Sequence, residues 1–356
     1  MDLTQSNPTA CGFKYPPEIL KALNNPDNLR YNPQAKGMLT AREVVVGYYA
    51  RKGISLSAEQ VILTASTSEA YSFLFRLLAD YNERVLFPCP SYPLFEFLVN
   101  LNDLKMDYYR LQFEGNWRID LKDLNGGFFK DTRAIVVVNP NNPTGTYIEP
   151  GELNHLNQLC EKHNAAIISD EVFLDYAFEN SKPLSLSANK EALTFCLGGL
   201  SKALGLPQMK LSWIVVNGPS ALVEEALKRL EVIADTYLSV STPVQNALPV
   251  WFKFYPKIHE MILSRVRKNW LSVKKILSGN STIQYLNAQA GWYAVLKIST
   301  RKSEEAWVME LLEKDHVCVH PGYFFDFPQE AFLILSLLPE EKIFAEGLRR
   351  IVKRIG

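Results

Sequence analysis

The sequence lacks an excess of charge of either sign, since 38 Lys and Arg residues balance 38 Asp and Glu residues. Without a net charge or a basic cluster, a chain has no general attraction for nucleic acid or for an acidic membrane surface. It also lacks any apolar run that approaches the roughly 20 residues of a membrane-spanning helix. These absences argue against nucleic-acid and membrane partners. They leave a globular chain of 356 residues, long enough for two domains.

Cysteine is scarce, and no CxxC pair or other paired spacing occurs. The first eight residues are polar and do not resemble a signal peptide. Scattered cysteines of this kind are typical of reduced thiols, so we expect a cytoplasmic protein without a disulfide framework and without a metal site. The five cysteines are Cys11, Cys89, Cys160, Cys196 and Cys318.

Strand-like and helix-like segments alternate over about 200 residues. This alternation predicts an α/β fold with a doubly wound, mostly parallel sheet flanked by helices. In such sheets a ligand binds at the carboxyl ends of the strands. The predicted strands cover 61–64, 85–87, 105–109, 133–138, 166–169, 193–197 and 212–216.

The last third of the chain has a different pattern. Two long helical stretches, 220–233 and 243–277, precede short strands at 292–298, 317–319 and 332–337, with helices near 303–314 and 340–353. This pattern predicts a smaller α+β domain that the N-terminal segment completes. We therefore predict a large domain over residues 36–250 and a small domain formed by residues 1–35 with residues 251–356.

Lys202 lies directly after the predicted strand 193–197, in a turn with leucines on both sides. Apolar neighbours desolvate an amine, lower its pKa and expose its nucleophilic form, as Schiff-base chemistry on a carbonyl cofactor requires. Lys210, eight residues later, is a cation for an anionic group. The alternative is a surface loop with two solvated lysines.

Three further side chains lie at or after the carboxyl ends of predicted strands. Asp170 is one crossover from Lys202 and could reach a ring nitrogen bound beside that lysine, where a carboxylate keeps a pyridine protonated. Tyr92, between two prolines, could stack on a bound ring, and Asn142 could hydrogen-bond a phenolic oxygen. Each has a structural alternative. Asp170 could be a capping acid, Tyr92 an aromatic that packs on the core, and Asn142 a residue that only forms a turn.

Ser66, Thr67 and Ser68 connect strand 61–64 to a helical run. A small polar turn between a strand and a helix offers backbone N–H groups and the positive end of the helix dipole to an anion. The alternative is an ordinary helix N-cap.

Taken in order, these segments resemble the class I/II aminotransferases, which are fold-type I enzymes that depend on pyridoxal 5′-phosphate. PGYF (321–324) and EGLRRI (346–351) extend the resemblance over nearly the whole chain. The central segments are TASTSEA (64–70), PSYP (90–93), NPNNPTG (139–145), DEV (170–172) and SKALGLP (201–207).

The resemblance implies specific roles. Lys202 would form the Schiff base and carry a proton between the substrate carbon and the cofactor, and Asp170 would pair with the pyridine nitrogen. Asn142 would bond the phenolic oxygen and Tyr92 would stack on the ring. The implied phosphate contacts are Ser66, Thr67, Ser68 and Lys210, with a further contact from Ser201 or water.

Two more implied contacts concern the substrate side and the subunit interface. Tyr31 resembles the tyrosine that reaches the phosphate of the neighbouring subunit's cofactor, which implies a homodimer. Gly12 falls where the N-terminal segment lines the substrate pocket in this family.

Three positions depart from the family pattern. Phe173 replaces a tyrosine that donates to the phenolic oxygen, and Gly199 replaces a frequent phosphate-binding serine. Ile334 stands where the family has the arginine that holds the substrate carboxylate, and no arginine occurs between positions 301 and 349. Either another cation takes this role, with Arg30 and Lys14 as candidates, or the amino donor has no carboxylate there.

We therefore expect a homodimeric, pyridoxal-phosphate-dependent aminotransferase that moves an amino group from an amino acid or amine to a keto acceptor. Two alternatives stay open. One is a lyase, decarboxylase or racemase on the same cofactor, and the other is a cofactor-binding protein with little activity.

Overall fold

The computed structural model describes residues 1–179, 183–238, 240–299 and 301–356. Eight of the described strands form one sheet in the order β1-β8-β7-β6-β5-β2-β3-β4. Strands β3, β2, β5, β6 and β7 run parallel, whereas β8 pairs antiparallel with β7 and β1, and β4 with β3. The bounds are β1 Val61–Thr64, β2 Arg84–Cys89, β3 Lys105–Phe113, β4 Trp117–Ile119, β5 Thr132–Val138, β6 Ala166–Asp170, β7 Thr194–Gly199 and β8 Ser212–Asn217.

Helices cover both faces of this sheet. The Ser66 side chain caps the third helix. The sixth helix begins at Pro150, and the missing N–H of this proline breaks no hydrogen bond because the first N–H groups of a helix have no partner within it. Asn164, in the left-handed conformation, caps the end of that helix. The α-helices are α1 Glu18–Lys21, α2 Leu39–Ala50, α3 Thr67–Leu78, α4 Phe95–Asn100, α5 Leu121–Gly127, α6 Pro150–His163, α7 Leu200–Ala203, α8 Ser220–Tyr237, α9 Thr242–Trp251, α10 Tyr255–Ile276, α11 Glu304–Asp315 and α12 Glu341–Ile355.

Short 3-10 helices lie between these elements, at Pro8–Ala10, Pro26–Leu29, Ala58–Gln60, Leu186–Ala188, Pro207–Met209, Phe252–Phe254 and Gly322–Phe325. The central strands are apolar and buried on both faces, as in β7 and β8, because helices cover the sheet on each side. The alternation in the sequence thus gives the predicted α/β layers.

A second, antiparallel sheet has the order β11-β12-β10-β9. Its strands are β9 Gln284–Tyr285, β10 Tyr293–Lys297, β11 His320–Pro321 and β12 Phe332–Ser336. The N-terminal segment adds to it, since Leu3 N donates to Cys318 O (2.9 Å) and Ser336 N donates to Leu3 O (2.7 Å). These contacts agree with the small domain expected from the sequence, whose boundaries at 36–250 and 1–35 with 251–356 stay a prediction.

Some predicted elements are wrong in detail. The single helix expected over 243–277 is divided into α9, a 3-10 turn and α10, because Pro256 has no backbone N–H and starts a new helix. The strand expected at 317–319 pairs instead at His320–Pro321. The short β4 and α5 were not predicted. In the described part of the chain, no helix has the length and apolar character to cross a bilayer.

Candidate active site

The carboxyl ends of three neighbouring parallel strands bring the predicted residues together. Asp170 is the last residue of β6 and lies opposite Val138 of β5 and Leu197 of β7. The loop that carries Asn142 follows β5, and Lys202 lies in α7, directly after β7. Because neighbouring parallel strands end at one edge of the sheet, side chains that are far apart in sequence share one site.

Lys202 is largely buried, and burial lowers the pKa of its amine to about 8, while the charge of Asp170 acts in the opposite direction. Its Nζ lies 4.6 Å from the ring centroid of Trp292 and 5.0 Å from that of Phe173. Its carbonyl oxygen accepts a hydrogen bond of 2.6 Å from the Tyr176 hydroxyl. The amine is therefore desolvated and more readily neutral than an ordinary lysine.

Asp170 is held by two donors. Its Oδ2 accepts from the Tyr71 hydroxyl at 3.1 Å, and its Oδ1 accepts from Val172 N at 3.2 Å. Burial raises the pKa of Asp170 to about 6, although these hydrogen bonds and Lys202 all lower it. A cationic partner, such as a protonated ring nitrogen, would stabilise the ionised form of this desolvated carboxylate.

The NPNNPTG loop packs against the segment that leads into β10. Gly145 has φ +68°, and a Cβ there would lie 2.3 Å from Ala290 O, so no larger residue fits. Gly145 O in turn accepts from Gln289 N (2.9 Å) and Ala290 N (3.0 Å). This contact joins the loop that carries Asn142 to the segment that leads to Trp292.

Several buried polar atoms around this site have no hydrogen-bond partner among the described residues, although buried polar groups nearly always have one. They are Ser91 Oγ, Asn141 Nδ2, Asn142 Oδ1 and Trp292 Nε1. Together with a buried carboxylate and a desolvated amine, this donor and acceptor set fits a polar aromatic aldehyde with a basic ring nitrogen.

The turn at the start of α3 is first of all a helix cap. Ser66 Oγ accepts from Glu69 N at 3.1 Å, as the N-cap alternative predicts. Thr67 and Ser68 occupy the first turn, where backbone N–H groups have no partner within the helix. Both roles are compatible, since the capping oxygen leaves the first N–H groups available to an anion.

The remaining residues predicted near the phosphate lie around α7. Ser201 is in this helix and is partly buried, and Lys210 is exposed in the left-handed conformation, with φ +50°. Gly199 is explained by packing, because a Cβ there would lie 2.4 Å from Ser212 Oγ. The Ser212 hydroxyl of β8 thus occupies the space that a side chain at position 199 would need.

Tyr92, Tyr31 and Gly12 are more exposed than the central residues. Tyr92 is 42% exposed and packs edge-on against Phe95, and burial together with the charge of Asp170 raises its pKa. Tyr31 is 78% exposed. Gly12 lies at the surface, where a Cβ would be 3.2 Å from Glu340 Oε1.

Ile334 is fully buried in β12, opposite Val295 of β10 and His320 of β11. The two cations considered as replacements for an arginine there are both at the surface. Lys14 is exposed, and Arg30 pairs with Asp27 at 3.5 Å with a side chain that is 83% exposed. Within this chain, neither of these two residues takes the place of the missing guanidinium at β12.

Sequence reasoning missed four residues of the site. Tyr71 binds Asp170, Tyr176 binds the Lys202 carbonyl, and Trp292 contacts the Lys202 amine. Burial raises the pKa of Tyr293, and its hydrogen bond with Ser6 opposes that rise. The sequence Gly291-Trp292-Tyr293 at the start of a predicted strand could have pointed to the last two of these residues. By itself, however, it indicates only two aromatic residues of the core.

Comparison with known proteins assigns this architecture to one group. The family model described as aminotransferase class I and II matches residues 1–349. The glutamate-pyruvate aminotransferase AlaA of Haemophilus influenzae is 26% identical over 99% of this chain and 90% of its own length. An alanine aminotransferase of Mycobacterium tuberculosis is 26% identical over 99% of this chain and 84% of its own. Among solved structures, the alanine aminotransferase from Pyrococcus furiosus has the same fold, with a TM-score of 0.91 at 24% identity, covering 100% of this chain and 92% of that chain.

Proposed function

This chain belongs to the class I and II aminotransferases, and from that premise we propose that Lys202 is the residue that binds the cofactor and carries the proton. The protein is a pyridoxal 5′-phosphate-dependent transferase that moves an amino group from an amino donor to a keto acceptor. What supports the assignment to Lys202 is its buried, desolvated amine, which the edge of the sheet holds beside Asp170.

Pyridoxal phosphate supplies, when bound, an aldehyde for the amine and a ring that withdraws electrons from the substrate carbon. Lys202 has two tasks in this setting. Its neutral amine would hold the cofactor, and once freed by the donor the same Nζ would take up a proton from the substrate carbon and carry it to the cofactor. A pKa of about 8 keeps a substantial neutral fraction near neutral pH, as both tasks need.

The other predicted residues orient the bound ring. Asp170 would pair with the ring nitrogen, and its two donors, Tyr71 and Val172 N, keep the carboxylate in place. Asn142 would hydrogen-bond the phenolic oxygen, and Tyr92 would stack on the ring. We assign the phosphate to Ser66, Thr67, Ser68, Ser201 and Lys210.

A homodimer and a cytoplasmic location complete the proposal. Tyr31 is 78% exposed and Leu29, in the same segment, is 93% exposed, which suits a surface covered by a second copy of the chain. The free thiols of all five cysteines suit a reducing compartment. Mixing inactive Lys202→Ala and Tyr31→Phe chains tests the shared site, since mixed dimers should regain one site with both residues intact. No regain of activity would contradict a shared site.

We propose that the amino donor is recognised without a guanidinium at β12, and that Gly12 of the N-terminal segment borders the donor's pocket. The single observation that carries the first part is Ile334, an apolar core residue in the strand where the family places its carboxylate-binding arginine. A bidentate arginine provides both energy and geometry that isoleucine cannot replace. The rate constants for donors with and without a carboxylate should therefore differ far less than they do in an enzyme that has this arginine.

Matched donor pairs test this proposal. Alanine with ethylamine, and tyrosine with tyramine, differ only in the carboxylate, and each half-reaction is followed by loss of the cofactor's absorbance band. We expect rate constants for the two members of a pair to agree within about tenfold, the scale of one ordinary hydrogen bond. A preference of about 10³-fold or more for the amino acids would contradict it. Release of ammonia or CO₂ instead of a keto product would identify lyase or decarboxylase chemistry.

A further inference from the structure

The amine of Lys202 lies over two adjoining aromatic rings, Phe173 and Trp292, which we call the two-ring seat. Its Nζ is 5.0 Å from the centroid of the Phe173 ring and 4.6 Å from that of the Trp292 ring. Both distances are within the roughly 6 Å over which a ring face attracts a cation, and tryptophan is the strongest such ring. Trp292 is fully buried, so water competes little for this contact.

Ring contacts and hydrogen bonds of neighbouring residues hold the two-ring seat in place. The rings of Phe173 and Trp292 meet edge to face at 5.2 Å, and Trp292 meets Tyr176 in the same way at 5.0 Å. The Tyr176 hydroxyl donates to Lys202 O at 2.6 Å, and Gly291 N donates to Tyr176 O at 3.0 Å. Tyr176 therefore connects the packing of the indole to the lysine backbone.

We propose that Trp292 is a positioning residue for Lys202, and that its ring face, together with Phe173, holds the released ammonium at the reacting carbon. This inference rests on the proposed role of Lys202. When the donor takes over the cofactor, the freed amine accepts a proton from the substrate carbon and is then a cation in a buried site, until it delivers that proton. A seat that stabilises the cation favours the transfer and limits the positions that the amine samples.

The seat works together with the other groups that face the amine. Asp170 is the acid whose charge acts on Lys202, and Tyr71 binds that carboxylate from α3. Tyr176 directs its hydroxyl to the Lys202 carbonyl, and His259, which packs on Tyr176, has its pKa lowered to about 4 by burial and is neutral at working pH. The cation thus has one carboxylate and two aromatic rings as its neighbours.

The experiment compares Trp292→Leu, Trp292→Phe and the control Trp251→Leu, all as full-length apoprotein. Trp251 is an equally buried tryptophan whose N–H donates to Ile19 O at 2.8 Å. The first readout is the rate of pyridoxal phosphate capture against pH, which reports the pKa of the free amine. Loss of the ring removes support for the ammonium, so Trp292→Leu should lower this pKa by about one unit, and Trp292→Phe by less.

At pH 7 the capture by Trp292→Leu should accordingly be about fivefold faster than in the wild type, since more of its amine is neutral. The second readout is turnover, in which kcat should fall about tenfold while KM changes by less than about twofold. Faster capture with slower turnover is a combination that general damage to the fold does not produce. Trp251→Leu should lose thermal stability and keep the wild-type pKa of the amine.

The proposal is overturned if Trp292→Leu keeps the wild-type pKa, or if only KM changes, which would make Trp292 a wall of the substrate pocket. Should Trp292→Leu fail to fold, Trp292→Phe decides by the same comparison of pKa values. Wild-type protein that captures no cofactor at Lys202 would instead refute the proposed function, and the inference with it.

Discussion

The cofactor side and the substrate side of the site are built differently. On the edge of the large sheet, Asp170, Asn142 and Lys202 match the family's motifs, with Asn142 buried and Asp170 and Lys202 partly buried. On the small sheet, Ile334 stands at the place of the expected arginine, and Trp292, directly before the neighbouring strand β10, contacts the amine. The residues that match the family's cofactor motifs are thus present, whereas the residue at the place of its carboxylate-binding arginine differs, and the two sets lie on separate sheets.

The largest expected effect comes from removing a residue of the cofactor side. Asp170→Ala should lower kcat/KM about 10³-fold, because it leaves a protonated ring nitrogen without its buried partner. Steady-state kinetics with saturating cofactor would measure this. Glu171→Ala is the matched control, since Glu171 is the neighbouring buried carboxylate and accepts instead from Ser185 Oγ (2.6 Å) and Leu186 N (2.6 Å). It should lower stability and leave the pH profile unchanged, and equal losses in both variants would speak against a special role for Asp170.

Asn142→Ala should weaken retention of the cofactor about 10- to 100-fold, the scale of one hydrogen bond to a charged oxygen. Equilibrium dialysis against pyridoxal phosphate measures this loss. Asn157 is a suitable control, because it is buried in a network with Asn189 away from the site. If Asn157→Ala weakens retention as much as Asn142→Ala, the loop after β5 has no specific part in binding.

The pH dependence of cofactor capture is a further test of the cofactor side. Capture needs neutral Lys202, with a pKa near 8, and ionised Asp170, with a pKa near 6. The rate should therefore rise roughly 15- to 20-fold between pH 6 and pH 7 and about sixfold between pH 7 and pH 8, and more steeply still below pH 6, where protonation of Asp170 also opposes capture. Stopped-flow absorbance between pH 5 and 9 measures the profile. A flat rate between pH 6 and 8 would mean that the amine is not perturbed as described.

The smallest expected effect concerns the substrate side. Ile334→Val should cost about 1 kcal/mol of folding stability, because it removes one methyl from a fully buried strand residue. The ratio of rates for alanine and ethylamine should stay unchanged, since a core side chain at this position does not touch the donor. Thermal unfolding and the matched-donor assay measure the two quantities. An altered donor ratio without loss of stability would place Ile334 in the substrate pocket.

The sequence predicted the layers and the cofactor side because both depend on local patterns. Strand and helix alternation fixes which residues reach one edge of the sheet, so Asp170 and Lys202 could be paired across 32 positions. The contact of Trp292 with Lys202 depends instead on how the small sheet packs against the large one, which no local spacing encodes. Likewise, Gly199 is intelligible only once Ser212 of the neighbouring strand is seen to occupy its side-chain space.

The central claim is that Lys202 attaches the cofactor, and borohydride reduction of the protein loaded with pyridoxal phosphate tests it most directly. Peptide mass analysis of the reduced protein should find the pyridoxyl group on Lys202 and nowhere else in stoichiometric amount. A label on another lysine, or no label on a folded protein, would contradict the account.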